Sequence, residues 1–341
     1  MHLDLRGHPL HTRSLSITLV QRADGRLDVH GELVDLRKRG FVPVAGDLQP
    51  SGVVHHMLLD GEVEPRTATL DAISLRQPSV AFEPSAVTGG ESCRDPADRI
   101  HALAGVRLDG AFARRLGAEI GGPRGCSHVL TLAHLLGTTV PWALARDRER
   151  FGERPGRRAG ERVFRRDVVV DGVELAGGGV ALGLQLTDLH GAPAPALARP
   201  MERFAASLEL RGLAVVDLGR YAFGPVQLAE RRRTAADADT DWRARDDLGA
   251  LLPGVSLARG VSATLRDRIG EEPSDQPWQD GLLMLAPALI QVFAALSDAW
   301  AGRALRENWL VGLGGQPDSC WMWRRGGPLE AARTPDDPDS A

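Results

Sequence analysis

The chain has 341 residues, 43% of them apolar and 25% charged, with a formal net charge of −4, a length that allows a substantial core in one or two domains. No block of like charge is long enough to form a nucleic-acid footprint, so no DNA or RNA partner is expected. Lys38 is the only lysine, which leaves no phosphate-cradling Gly-Lys-Ser/Thr motif and no other Schiff-base lysine.

The opening residues, Met1 to Arg6, hold no apolar run of signal-peptide length. From Arg13 to Leu36 two alternating apolar stretches flank Asp24-Gly25, a β-hairpin signal. His55-His56-Met57 follows, then a strand at Thr67 to Ala72 and a lone Cys93. Leu103-Ala104-Gly105-Val106-Arg107-Leu108 leads into an amphipathic helix through Leu116 and Ile120 that stops at Gly121. A loop, Gly121-Gly122-Pro123-Arg124, then delivers Gly125-Cys126-Ser127-His128 to the start of an apolar helix, Val129 to Leu136.

Arg146 to Arg162 reads as a helix end and a charged, Pro/Gly-broken linker. Beyond it the pattern recurs. Arg166 to Leu189 matches Arg13 to Leu36 without gaps, with Arg13, Val20, Gly25, Leu33, Asp35 and Leu36 falling on Arg166, Val173, Gly178, Leu186, Asp188 and Leu189. Thr67 to Ala72 resembles Leu213 to Leu218, and Leu103 to Leu108 resembles Leu252 to Leu257. Leu130-Thr131-Leu132-Ala133 corresponds to Leu283-Met284-Leu285-Ala286, each opening an apolar helix.

These matches predict an α+β protein of two diverged copies, each an antiparallel sheet with helices, packed as an intramolecular pseudo-dimer. The boundaries are 1–145 for the first copy, 146–162 for the linker, 163–325 for the second, degenerate copy and 326–341 for a disordered tail. The apolar stretch Leu282 to Leu296 contains Pro287 and Gln291 and is too short to span a bilayer, so a cytoplasmic protein without a membrane partner is expected. Cys93, Cys126 and Cys320, three and far apart, do not form a disulfide framework.

Gly125-Cys126-Ser127-His128 is the most informative local feature. At a helix N-terminus the unpaired N–H groups and the dipole favour a thiolate, and Arg124 adds positive charge. That thiolate could be a nucleophile or a metal ligand, with His128 as base or co-ligand. The blander alternative, a small buried Cys beside a polar first-turn residue, stays open. Asp35 and Asp188 read as strand-end hydrogen-bond partners of Arg13 and Arg166, and Asp35 alone could also be a general base. In the second copy Gln279 and Gly281 stand where Cys126 and His128 do, so no thiol or metal chemistry is expected there. Cys320, beside Trp321 and Trp323, reads as a core residue, and the second half's tryptophans as core or as walls of an apolar pocket.

Arg13, Asp24-Gly25, Gly31-Glu32-Leu33-Val34-Asp35, His55-His56-Met57, Cys93, Leu103-Ala104-Gly105 through Gly110 and Gly125-Cys126-Ser127-His128-Val129 run in the order of a known pattern. Over residues 11 to 144 the chain resembles the bacterial domain-of-unknown-function family 2889, with Ser127 and Val129 as mild departures. The family carries no assigned activity. The resemblance selects His55 rather than His56 as its motif histidine, and groups it with Cys93, Cys126 and His128. Those four would suit a tetrahedral, zinc-like site. Alternatively Cys126 is a nucleophile, with His128 or His55 as base and Cys93 as a resolving thiol.

The expected function is therefore an enzyme, a hydrolase or lyase, acting on a small, largely apolar organic molecule. Cys126, His128 and Asp35 are its candidate catalytic residues. The alternative is a non-catalytic binding module whose His55, Cys93, Cys126 and His128 hold a structural metal.

Overall fold

Alternating burial marks the strands. In His8–Gln21 (β1), His11, Arg13, Leu15, Ile17 and Leu19 are buried while the residues between them are half-buried, the period of a strand covered on one face. The computed structural model describes residues 5–40, 42–44, 47–153, 155–195, 198–237, 239–257, 260–270, 272–307 and 315–333.

After β1 come Leu27–Arg37 (β2), a short ribbon of Val42–Val44 (β3) and Asp47–Gln49 (β4), Gly52–Glu64 (β5), Thr69–Ser79 (β6) and Val106–Arg107 (β7). Two helices follow, Gly110–Ile120 (α1) and Ser127–Phe151 (α2). Strands then resume as Arg162–Glu174 (β8), Val180–Gly191 (β9), Phe204–Asp217 (β10), Ala222–Thr234 (β11) and Arg243–Ala244 (β12). Helices Asp246–Gly249 (α3), Val261–Ile269 (α4), Gln276–Leu283 (α5), Leu285–Glu307 (α6) and Pro328–Arg333 (α7) complete the described elements.

Apart from the β3–β4 ribbon, the strands form one ten-stranded sheet in the order β12-β11-β10-β9-β8-β1-β2-β5-β6-β7. Every neighbouring pair is antiparallel. The class is α+β, as the sequence indicates. The two halves meet edge to edge at β1 and β8, where Arg13 pairs with Val170 and Ile17 with Arg166.

Helices α2 and α6 lie on the same face of this sheet and share one core with it. α2 rests on β1, β2 and β5, and α6 crosses back from the second half onto β1, β8 and β3. The close seating of α6 explains Gly172 on β8, where an added Cβ would stand 2.1 Å from Val292 Cγ2.

Three expectations need correction. Thr69 to Ala72 lies in β6, the fourth long strand of its half, whereas Leu213 to Asp217 lies in β10, the third of the other, so that match is displaced by one strand. Gly326 is followed by helix α7, whose Leu329 is buried against Phe82 and Trp323, so the tail is not disordered from 326; residues 334–341 lie outside the described residues. The apolar stretch belongs to a helical run, Gln276–Leu296, of 21 residues, long and apolar enough to cross a membrane by length and composition. However, 61% of its most apolar window is buried inside the protein, the pattern of a core helix.

Candidate functional site

Arg13 on β1 and Asp35 on β2 are register partners, and their side chains meet under the helices. The guanidinium grips the carboxylate through Nε and Nη2, both at 2.8 Å, with Asp35 fully buried. This is the pairing the sequence suggested. Alternation places His11 two residues before Arg13 on the same buried face, and Arg37 two residues after Asp35. On β5, His55 pairs with Asp35 across the ladder.

Helix α2 brings its first turn over this cluster. His128 Nε2 lies 3.2 Å from Asp35 Oδ2 and 3.2 Å from the Gln291 side-chain amide nitrogen of α6. Its Nδ1 lies 3.7 Å from Cys126 Sγ. His55 Nδ1 and His11 Nε2 are each 3.3 Å from an Asp35 oxygen. One buried carboxylate is thus surrounded by Arg13 and three imidazoles.

Burial raises the Asp35 pKa, but the charge and bonds of Arg13, with His11 and His128, overcome it and hold the carboxyl well below its usual range. Burial pushes the His128 imidazole down to about 3, with His55 adding to the shift against Asp35. His11 and His55 are lowered too, burial outweighing Asp35. At neutral pH the cluster therefore holds ionised Asp35 and neutral imidazoles.

Cys126 occupies the N-cap of α2, as expected, but it is not a standing thiolate. Burial pushes its thiol up to about 11, and the amides of Val129 and His128 only partly offset that. Arg124 turns away and bonds Gly117 O at 3.2 Å.

Beside Cys126 is a cavity of about 10 Å³ bordered by Leu75, Gln77, Cys93, Pro96, Ala97, Ile120 and Val129, room for about one water. No tryptophan borders it. Trp278 is buried and bonds Glu230, Trp323 packs on Phe82, and Trp242 stacks under Arg211 and Arg231. Trp309 and the side chain of Trp300 lie outside the described residues.

The four-ligand set of His55, Cys93, Cys126 and His128 is not assembled. Among the described residues, the group with ligand atoms within 4.8 Å of one another is Asp35, His55 and His128, without either cysteine. Cys93 instead joins a satellite core with Phe82, Met322, Trp323 and Leu329, where Cys320 also packs. Burial, with Cys126 nearby, holds the Cys93 thiol well above its usual value.

The three-residue group fits an ion poorly. The His55 and His128 rings are stacked, with centroids 3.6 Å apart and planes 25° from parallel. A ligating nitrogen directs its lone pair in the ring plane. These planes intersect roughly 8 Å from the centroids, whereas an ion bound at about 2.0–2.1 Å from nitrogen sits only about 3 Å from a centroid. Arg13 also occupies both Asp35 oxygens.

The second half shows which parts are scaffold. By the shift that carries Arg13 onto Arg166, the Arg–Asp pair recurs as Arg166 and Asp188, with bonds of 2.7 Å from Nε and Nη2. Phe164 replaces His11. Leu208, opposite Asp188, replaces His55. Gly281 replaces His128, and His190 replaces Arg37. Arg166 gains a second carboxylate, Asp280, and lies over the rings of Trp142 and Phe164. The buried ion pair is common to both halves; His11, His55 and His128 around Asp35 have no counterparts in the second.

Residues 11–141 match the model of the family described as a protein of unknown function (DUF2889), the first part of the chain. Comparison with curated proteins and with solved structures gives no match.

Proposed function

We propose that the DUF2889 part of this chain is a cysteine-dependent hydrolase of a small, largely apolar acyl compound, with Cys126 as nucleophile, His128 as base and Asp35 as the group that orients His128. The observation that carries this reading is the relay itself: Sγ to Nδ1 at 3.7 Å and Nε2 to the Asp35 oxygen at 3.2 Å, through the two nitrogens of one ring.

The ionised carboxylate favours a proton on the nitrogen that faces it. Nε2 then donates toward Asp35, Gln291 turns its amide oxygen to the same ring edge, and the Nδ1 lone pair is left for the thiol. Because the thiol titrates at about 11, it reacts by passing its proton to His128 as sulfur bonds to the acyl carbon. The leaving group departs with that proton, and water, deprotonated by His128, cleaves the thioester and restores the thiol.

We also read the two halves as diverged copies packed as a pseudo-dimer. Register supports this: shifting each residue of the Arg13–Val170 pair into the other copy yields Arg166–Ile17, which is itself a pair of the β1–β8 ladder.

The test is mass spectrometry of the protein mixed with small activated esters. An acyl group on the Cys126 peptide, absent in Cys126→Ala and strongly reduced in His128→Ala, is expected. No acyl-enzyme, together with turnover that survives Cys126→Ala, refutes the thiol and favours a lyase using the imidazoles. Stoichiometric zinc that is lost in His55→Ala favours the metal-binding module, for which the proximity of Asp35, His55 and His128 is the one supporting observation.

A further inference from the structure

The first-half cluster contains more positive charge and more open polar valence than the relay uses. Arg37 is 2% exposed, and its bond is to a carbonyl, Nη1 to Gln49 O at 3.3 Å. Its Nε has no partner, nor have both ring nitrogens of His11 and Nδ1 of His55. The two imidazoles approach Asp35 within 3.3 Å but outside the direction of a hydrogen bond.

These atoms belong together. His11 and Arg37 are register partners, and His55 pairs with Asp35, two residues from Arg37 on the same strand face. Among the described residues the carboxylate acting on Arg37 is Asp35, whose two oxygens are already gripped by Arg13. Two buried guanidinium groups thus share one carboxylate, and with neutral imidazoles the cluster carries one uncompensated positive charge. A buried charge without a partner is costly, and proteins pair such charges or fill the site with a counter-ion.

We propose that Arg37, with His11 and His55, binds the carboxylate of a small monocarboxylic acid. A monoanion matches the single excess charge, whereas a phosphate dianion overshoots it. Guanidinium and imidazole N–H groups suit carboxylate oxygens. An open groove of about 510 Å³, lined by His8, Arg39, Glu174 and Leu175, lies at the same end of the β1–β2 pair, though none of Arg37, His11 and His55 borders it. The second half lacks the arrangement: His190 stands for Arg37, and Phe164 and Leu208 for His11 and His55. That this acid is the product or substrate of the Cys126 reaction rests on the function proposed above; that it binds does not.

The experiment is thermal unfolding of the full chain at constant ionic strength with acetate, propionate or benzoate, and with chloride and inorganic phosphate for comparison. At ten times Kd a carboxylate is expected to raise Tm by about 2 °C, while chloride and phosphate leave it unchanged. Arg37→Gln should abolish the response and have a ligand-free Tm at least equal to that of the original chain. Cys126→Ala should keep the response, so carboxylate binding without any acyl-enzyme refutes the thiol reading alone. No response to any carboxylate, the same response in Arg37→Gln, a markedly lower ligand-free Tm in Arg37→Gln, or stronger stabilisation by phosphate overturns the proposal.

Discussion

Replacing Asp35 by Asn should destabilise the protein far more than the matching change at Asp188, although both aspartates accept a two-pronged grip from a fully buried arginine. In the first half Asp35 is the carboxylate of Arg13 and the one acting on Arg37, so the amide leaves both cations without a counter-charge. Removing one partner of a buried ion pair costs about 3–5 kcal/mol, and two stranded guanidinium groups put Asp35→Asn toward the upper end. In the second half Arg166 keeps Asp280, which lies close enough to Asp188 to help burial raise the Asp188 pKa. Asp188→Asn loses charge-assisted bonds worth about 1.5–3 kcal/mol but relieves that repulsion, for a net loss of about 1 kcal/mol. Urea unfolding at pH 7, followed by tryptophan fluorescence and circular dichroism, measures both. Because Asp35 titrates below its unfolded value, its contribution is present above about pH 4 and is lost as the pH falls through the folded pKa; the gap between Asp35→Asn and the original chain should narrow there. Equal losses in the two variants, or a loss below about 1 kcal/mol for Asp35→Asn, refute the charge accounting.

His128 and His190 both titrate at about 3 when folded, burial being the main cause. A depressed histidine contributes stability above its unfolded pKa of about 6.5 and loses it as pH falls toward the folded value, about 1.4 kcal/mol per unit for each. His190→Phe, set among Phe164 and Trp142, should flatten that decline by about one such slope in denaturation at pH 6, 5 and 4. His128→Ala should slow acylation of Cys126 by about 10²–10⁴, read from single-turnover kinetics; an unchanged rate removes His128 as base. Gly172→Ala should cost about 1–3 kcal/mol by overpacking against Val292, and a neutral result in urea unfolding means α6 does not rest on β8 as described.

Much of this site was legible in residue order. The Arg13–Asp35 pair follows from its recurrence as Arg166 and Asp188, because a repeat that keeps an Arg and an Asp at a hairpin's paired positions keeps a contact. His11 and Arg37 belong to no motif, yet each stands two residues from one of those partners, and strand periodicity places such neighbours on one face. Gln291 interrupts an apolar helix, and a polar residue so placed signals a buried partner, here His128. The cysteines were harder. Helix position argues for a thiolate at Cys126, but burial, which the local motif does not encode, decides the other way. Cys93 is drawn from the histidines by the packing of Met322, Trp323 and Leu329, more than two hundred residues later in the chain.

The contrast between the halves separates stability from chemistry. The second half has no counterpart of His11, His55 or His128, yet it contains the same buried Arg–Asp pair, with Asp280 as a second carboxylate and Trp142 and Phe164 over the guanidinium. The Arg–Asp grip itself therefore serves the fold, joining the first two strands of each half, and in the first half Asp35 also faces His128. The same comparison shows that the first half departs from a self-sufficient arrangement in the direction of cost: it withholds the second carboxylate, adds Arg37, and lines the gap with three imidazoles. Buried polar groups arranged against stability are expected where a ligand completes them. Nor is the second half a bystander, since Gln291 of α6 reaches His128, and the backbone N–H of Trp321 donates to Gly125 O at 2.8 Å, beside Cys126. Shared construction of this kind predicts that the first half expressed alone would lose both the Gln291 contact to His128 and the cover over Gly125 and Cys126.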